Sequence, residues 1–227
     1  MAFDGVLITE IFHSLQGETS LAGVPFAFIR LTGCNLRCTY CDSAYAFKGG
    51  TRMSIPEVLA TIRPYGVKHV LLTGGEPLLQ RGTPELARTL FEAGYLVSVE
   101  THGEVAITPV RPWTRIVMDI KTPGSGMNRG GFTQNLPVLR TGDEIKFVIT
   151  SPSDYEWACE LVHSQDLPKV CDILFSPAVA AVGSPGEGRY PGVELKWLAE
   201  RILEDRLPVR MQIQLHKLIW GAQTKGV

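Results

Sequence analysis

The 227-residue chain reads as an α/β protein built on a mainly parallel sheet. Two observations predict this. Short apolar runs recur along the chain, and several are followed by a capped helical segment, which is the pattern of βα units joined by right-handed crossovers. The pattern is also incomplete. Between Thr101 and Arg115 there is barely room for a helix, and the span from Thr122 to Asp143 is rich in glycine. Some strands therefore lack a full helix after them.

In order, Val6 to Phe12 reads as a short strand, with Leu15-Gln-Gly-Glu18 as the turn after it. Gly17 lets the backbone turn sharply or approach another group closely. Val24 to Leu31 is a buried strand whose period-2 alternation puts Phe26, Phe28 and Arg30 on one face. Ser54-Ile-Pro-Glu57 is a capping box with proline in the first turn, opening a helix to about Ile62. His69 to Thr73 is a strand, and Thr83-Pro84-Glu85 opens a second helix that ends near Gly94. Leu96 to Glu100, Ile116 to Ile120 and Glu144 to Ile149 are further strands. Ser153-Asp-Tyr-Glu156 caps a third helix, followed by the strand Asp172 to Ser176. Val193 to Asp205 reads as the last helix and Val209 to Leu215 as the last strand. That strand aligns Gln212, Gln214 and His216 on one face, either a solvated edge or an inward polar wall. No internal repeat, linker or low-complexity segment interrupts the chain, which predicts one domain over residues 1–227.

Composition narrows the function classes. With 22 basic and 23 acidic side chains, the net charge is -1, and no basic run marks a nucleic-acid surface. A small-molecule substrate fits better than a polymer. No apolar run approaches the roughly 20 residues that span a bilayer. The N-terminus has neither the charged flank nor the apolar core of a signal peptide. Five cysteines, three of them bunched, make a poor disulfide framework. A reducing cytoplasm is the expected location.

The bunched cysteines are Cys34, Cys38 and Cys41, in a loop fed by the strand that ends at Leu31. Soft thiolates select zinc, copper(I) or iron–sulfur centres. A structural zinc site normally takes four protein ligands, usually as two pairs, and no matching second pair follows. Cys159 and Cys171 sit in separate elements and read as packing residues. Three cysteines suggest a 4Fe-4S cluster with one iron open to a small molecule. A zinc-binding module without catalysis and a trio of free structural thiols are the alternatives. His13, His69, His102 and His163 read as structural or surface residues.

This spacing, with Tyr40 just before the last cysteine, resembles the signature of the radical S-adenosylmethionine enzymes. The flanking segments narrow it. Phe12-His-Ser-Leu-Gln-Gly-Glu18, Phe28-Ile-Arg-Leu-Thr-Gly-Cys34, Cys41-Asp-Ser43 and Thr73-Gly-Gly-Glu-Pro77 together resemble the 7-carboxy-7-deazaguanine synthases. The likeness runs from about Phe12 to His216 and is most specific before Pro77.

The resemblance implies a partial, incomplete parallel β/α barrel of the radical S-adenosylmethionine type with shortened helices. It implies a lyase that converts 6-carboxy-5,6,7,8-tetrahydropterin into 7-carboxy-7-deazaguanine and ammonia for a deazapurine (queuosine) pathway. The implied cofactors are a 4Fe-4S cluster on Cys34, Cys38 and Cys41, S-adenosylmethionine, and a magnesium ion on Ser43, where relatives often carry threonine. Leu15, Gln16, Gly17, Arg30 and Thr73 match the pterin site. A guanidinium such as Arg30 offers a carboxylate two parallel donors. Tyr40, Cys41, Asp42, Gly74, Gly75, Glu76, Asp119, Ile120, Lys121 and Ser176 match the S-adenosylmethionine site, although many relatives carry Ser-Pro-Lys at the segment Asp119 to Lys121. The resemblance further implies a homodimer, a flavodoxin or ferredoxin as electron donor, and a C-terminal tail, Gly221 to Val227, near the mouth of the site. An activase that makes a glycyl radical on a partner protein shares the cysteine triplet, but is not expected to need the Gln16-Gly17 turn together with Arg30.

Overall fold

The computed structural model describes residues 5–178, 192–221 and 224–227. The chain opens with β1 (Val6–Leu15), which pairs antiparallel with β2 (Pro25–Leu31) on one side and β3 (Thr51–Met53) on the other. From β2 onward every pairing is parallel. The strands are β4 (His69–Gly74), β5 (Leu96–Thr101), β6 (Thr114–Ile120), β7 (Glu144–Ile149), β8 (Asp172–Pro177) and β9 (Arg210–Met211). The sheet order is β3-β1-β2-β4-β5-β6-β7-β8-β9, with β3 and β9 at its two edges. The barrel is thus open, as the family resemblance implies and the missing helices agree.

Five α-helices accompany the sheet among the described residues: α1 (Ile55–Ile62), α2 (Thr83–Glu92), α3 (Pro152–Ser164), α4 (Leu195–Glu204) and α5 (Leu215–Trp220). The predicted box opens α1, with the Ser54 hydroxyl accepting from the Glu57 amide and the Glu57 carboxylate accepting from the Ser54 amide. On α3 the cap is Ser151 rather than the expected Ser153. Pro152 has no N–H to satisfy and suits the first helical position, so the cap falls just before it. The spans that leave no room for a helix carry turns and short 3-10 segments. Buried Asn135 ties them together, donating to the Gly103 and Val105 carbonyls (2.7 and 2.9 Å) and accepting from the Ile107 amide (3.1 Å).

Alternation along each strand gives the sheet two unlike faces. Ile29, Leu72, Val99, Met118, Phe147 and Phe175 face outward into one large apolar cluster with Val58, Leu86, Ala158 and Leu198 of the helices. At roughly 1.5–3 kcal/mol per fully buried large side chain, this layer holds the fold together. The other face is therefore free to carry charge. It presents Glu10, Arg30, Thr73, Glu100, Asp119, Lys146 and Ser176, one strand after another. The register places Glu10 opposite Arg30, Arg30 beside Thr73 and Asp119 beside Lys146. Part of this face is an apolar patch of Phe12, Phe26, Phe28 and Leu71, with Phe12 stacked on Phe28 at 4.8 Å.

The C-terminal segment departs from expectation. Only Arg210 and Met211 are ladder-paired in β9, although the Gln212 amide still reaches the Phe175 carbonyl. The chain then turns away, because the Leu215 amide donates to the Gly17 carbonyl (2.9 Å) and α5 begins there. His216 thus lies on a helix and not on a strand.

Candidate active site

The cysteine loop follows β2, at the end where the parallel strands finish, which is where functional loops gather in such sheets. Cys34, Cys38 and Cys41 are free and half-buried. The Leu36 amide points at the Cys34 sulfur (3.4 Å), and the Cys38 thiol feels the charge of both Lys121 and Cys34. Burial raises the Cys38 thiol and pushes Cys41 up to about 11. Metal binding would reverse that, since a coordinating thiol gives up its proton. Among the described residues no three His, Cys, Asp or Glu side chains converge on the single point that one metal ion needs. A cubane instead takes each thiolate on a different iron. Three unpaired thiols on one short loop, with an amide aimed at a sulfur, fit that group.

Two glycines seat the loop. A Cβ on Gly74 (φ 126°) would fall 2.1 Å from the Leu31 carbonyl oxygen, and one on Gly75 would fall 2.1 Å from that of Gly33 and 3.0 Å from the Cys34 Cβ. The Glu76 amide donates to the same Gly33 oxygen at 2.8 Å. On the other side Thr39 docks on the turn after β6, its amide and hydroxyl donating to the Ser125 and Gly124 carbonyls. Lys121 stands 5.6 Å from the Tyr40 ring centroid and 3.0 Å from Asp119. Tyr40, Asp119 and Lys121 therefore meet beside the cysteines. Ser176 is buried on the same inner face, at the end of β8. Ile120 points into the outer apolar cluster, so only its main chain can approach a ligand.

Glu76 is fully buried. It accepts from the Leu78 and His102 amides and the Thr101 hydroxyl, and burial pushes it up to about 7. His102 is the structural residue expected, but it holds the cysteine loop. Its Nδ1 accepts from the Glu104 amide, so Nε2 carries the proton and donates to Asn35 (2.9 Å). Burial holds this imidazole down to about 4.

Toward β1, the Arg30 Nε donates to Glu10 (2.7 Å), and the Tyr45 hydroxyl donates to the same Glu10 oxygen (2.7 Å). Both Nη atoms of Arg30 are without a hydrogen-bond partner among the described residues. Thr73 donates to Glu100 (3.1 Å). Ser43 donates to Asp42 (2.9 Å), whose other oxygen pairs with Lys217 (3.2 Å). Lys225 of the tail lies 4.4 Å from the Tyr45 ring centroid, which brings the chain end next to this group.

The turn after β1 forms a floor under the inner face. Gln16 is buried, and its amide and carbonyl pair with Val24 and Gly23. Gly17 is pressed so close to His216 that a Cβ would sit 2.1 Å from the imidazole Nδ1. Leu15 lines a cleft with Trp220 and Val227. Gln212 accepts from the Thr19 amide (2.8 Å) and Gln214 donates to Glu18 (2.7 Å), so these side chains form the inward polar wall and not a solvated edge.

Sequence reasoning missed Glu10, Glu18, Tyr45 and Lys146. A signal was present for two of them. Glu10 and Lys146 are charges at inner-face positions of strands, Lys146 with Glu144 on the same face of β7, where an unpaired charge is costly and a partner is implied.

The Radical SAM superfamily pattern matches residues 28–123. The 7-carboxy-7-deazaguanine synthase of Koribacter versatilis is 44% identical over 226 residues, spanning 97% of this chain and 99% of that protein. That of Chlorobaculum tepidum is 40% identical over 223 residues, spanning 97% and 96%. In fold, the crystal structure of QueE from Escherichia coli matches with a TM-score of 0.67 at 24% identity, covering 91% of this chain and 93% of that one. With both sequence relatives alike over nearly their whole length, the chain belongs to the 7-carboxy-7-deazaguanine synthase family of radical S-adenosylmethionine enzymes.

Proposed function

We propose that this chain is itself a radical S-adenosylmethionine lyase that converts 6-carboxy-5,6,7,8-tetrahydropterin into 7-carboxy-7-deazaguanine and ammonia. The observation that carries the substrate assignment is Arg30. Its Nε edge is committed to Glu10, and its two Nη atoms have no hydrogen-bond partner among the described residues, near the end of a rigid strand. Such a guanidinium suits a carboxylate gripped by two parallel bonds.

Cys34, Cys38 and Cys41 would hold a 4Fe-4S cluster, leaving one iron for S-adenosylmethionine. When bound, these groups would supply the electron and the carbon-centred radical for abstraction of one hydrogen atom, at C6 of the substrate. The protein binds, orients and excludes water. Gly74 and Gly75 leave bare backbone for the methionine end, with Cys41, Asp42 and Glu76 close to it. Tyr40, Asp119, the main chain of Ile120, Lys121 and Ser176 line the adenosine side. Leu15, Gln16, Gly17, Arg30 and Thr73 take the pterin. Ser43 would give a magnesium ion a hard oxygen, which steadies the substrate carboxylate beside Arg30. The reading extends to a cytoplasmic homodimer reduced by a flavodoxin or ferredoxin, with the product passed to a queuosine-type pathway.

The test is an anaerobic assay of the reconstituted protein with S-adenosylmethionine, dithionite and the carboxytetrahydropterin, read by mass spectrometry. The deazaguanine acid is expected, and Cys38→Ala should abolish it. Release of 5'-deoxyadenosine with the pterin untouched would overturn the substrate assignment.

A further inference from the structure

Lys146 is buried in the middle of β7, and its ammonium touches carboxylates from three different elements. They are Glu100 at the end of β5 (2.6 Å), Glu18 of the floor turn (2.7 Å) and Asp119 of β6 (3.1 Å). Each carboxylate leads to a different part of the site. Glu18 also receives Gln214, and Glu100 receives Thr73. Asp119 pairs with Lys121, which stands over Tyr40 next to the cysteines.

We propose that Lys146 is a positioning residue that sets the distance between the pterin half of the site and the S-adenosylmethionine half. The proposal rests on the reading above. The three carboxylates share one cation at their centre, and like charges this close in a low-dielectric interior repel strongly. Without the ammonium they must separate or take up protons, and either change moves the floor turn relative to β5 and β6. The local electrostatics agree: burial pushes Glu18 up, yet the Lys146 charge and hydrogen bond bring it down to about 2. Hydrogen transfer needs reacting atoms about 3–3.5 Å apart, and a displacement of about 1 Å costs on the order of 100-fold. The defect expected on loss of Lys146 is therefore uncoupling, with S-adenosylmethionine cleaved and the hydrogen atom of 5'-deoxyadenosine taken from a C–H or S–H donor of the buffer or protein instead of from the substrate.

The experiment compares wild type, Lys146→Met, Lys146→Arg and Glu18→Gln as reconstituted holoenzymes, using substrate deuterated at C6. It measures 5'-deoxyadenosine released per deazaguanine acid, deuterium carried into 5'-deoxyadenosine, iron content and the melting temperature. Lys146→Met should release at least about tenfold more 5'-deoxyadenosine per product and carry less deuterium. Lys146→Arg keeps the charge but not the compact geometry of the ammonium, so it should fold with a full cluster and remain partly uncoupled. Glu18→Gln leaves Lys146 paired with two carboxylates and serves if the methionine variant does not fold. A purely structural lysine would lower the melting temperature and leave the ratio unchanged. Wild-type ratios in every folded, iron-replete variant would overturn the proposal while wild-type product formation upholds the function. Absence of the acid from the wild type would overturn both.

Discussion

Replacing Gly75 with alanine tests the seating of the cysteine loop. The new methyl would arrive 2.1 Å from the Gly33 carbonyl oxygen, and carbon and oxygen rest roughly 3.3 Å apart even in a close contact. The loop must therefore retreat by about 1 Å. It has little freedom to do so, because the Gly33 oxygen is bonded to the Glu76 amide and the Gly33 amide to the Ala46 carbonyl. Overpacking of this kind costs about 1–3 kcal/mol, and losing the Glu76 bond adds about 1 kcal/mol. A total of about 2–4 kcal/mol is a large part of a typical folding free energy. Anaerobic urea unfolding should show the midpoint falling by about 1 M, taking a slope near 3 kcal/mol per M. Iron and sulfide per chain should fall as well, since the methyl also presses on Cys34. An unchanged midpoint with full iron content would refute the claim that this close approach holds the loop.

Other substitutions probe separate parts of the site. Arg30→Lys removes the bidentate grip and should lower kcat/KM for the carboxytetrahydropterin by about 10- to 100-fold, chiefly through KM, with the cluster intact. Equal kinetics would remove Arg30 from the substrate. Ser43→Ala should abolish activation by magnesium in a titration of the metal-stripped enzyme, whereas a retained response would place the ion elsewhere. Because burial holds His102 below its unfolded value of 6.5, its contribution to stability is present above that pH and is lost as pH falls toward about 4. Between pH 7.5 and 5.5 the loss is about 1.4 kcal/mol. Urea titrations of His102→Gln should show a fall over that range smaller by about this amount. Parallel profiles would mean that the imidazole is not kept neutral.

Most of this architecture was legible because apolar alternation and capping chemistry are local. The parallel strands lie where their hydrophobic runs indicate, and the Ser54 box opens α1 as its spacing dictates. The Cys34, Gly74 and Arg30 segments also meet at one sheet edge, because residues at corresponding ends of neighbouring parallel strands must. What escaped the sequence depends on distant partners. Lys146 looks like a polar position in a strand until Glu18, 128 residues away, comes into contact with it. The stretch after β9 alternates like a strand, yet Gln214 and the Leu215 amide are claimed by the floor turn, and those bonds end the ladder. The error at Ser153 was of another kind, a choice between two serines flanking one proline.

The floor turn also has a consequence for how the protein is made. Thr19 and Gln212 are 193 residues apart in sequence, and Glu18 and Gln214 are 196 apart. Contacts this long-range form late in folding, because the intervening chain must be ordered first. During synthesis, the strands from β2 to β8 leave the ribosome before the segment with which the floor turn pairs. The cysteine loop therefore emerges early, well before the segment that carries Gln212 and Gln214. A chain truncated before β9 loses the Gln212 and Gln214 bonds to Thr19 and Glu18, and with them the polar wall over the floor turn.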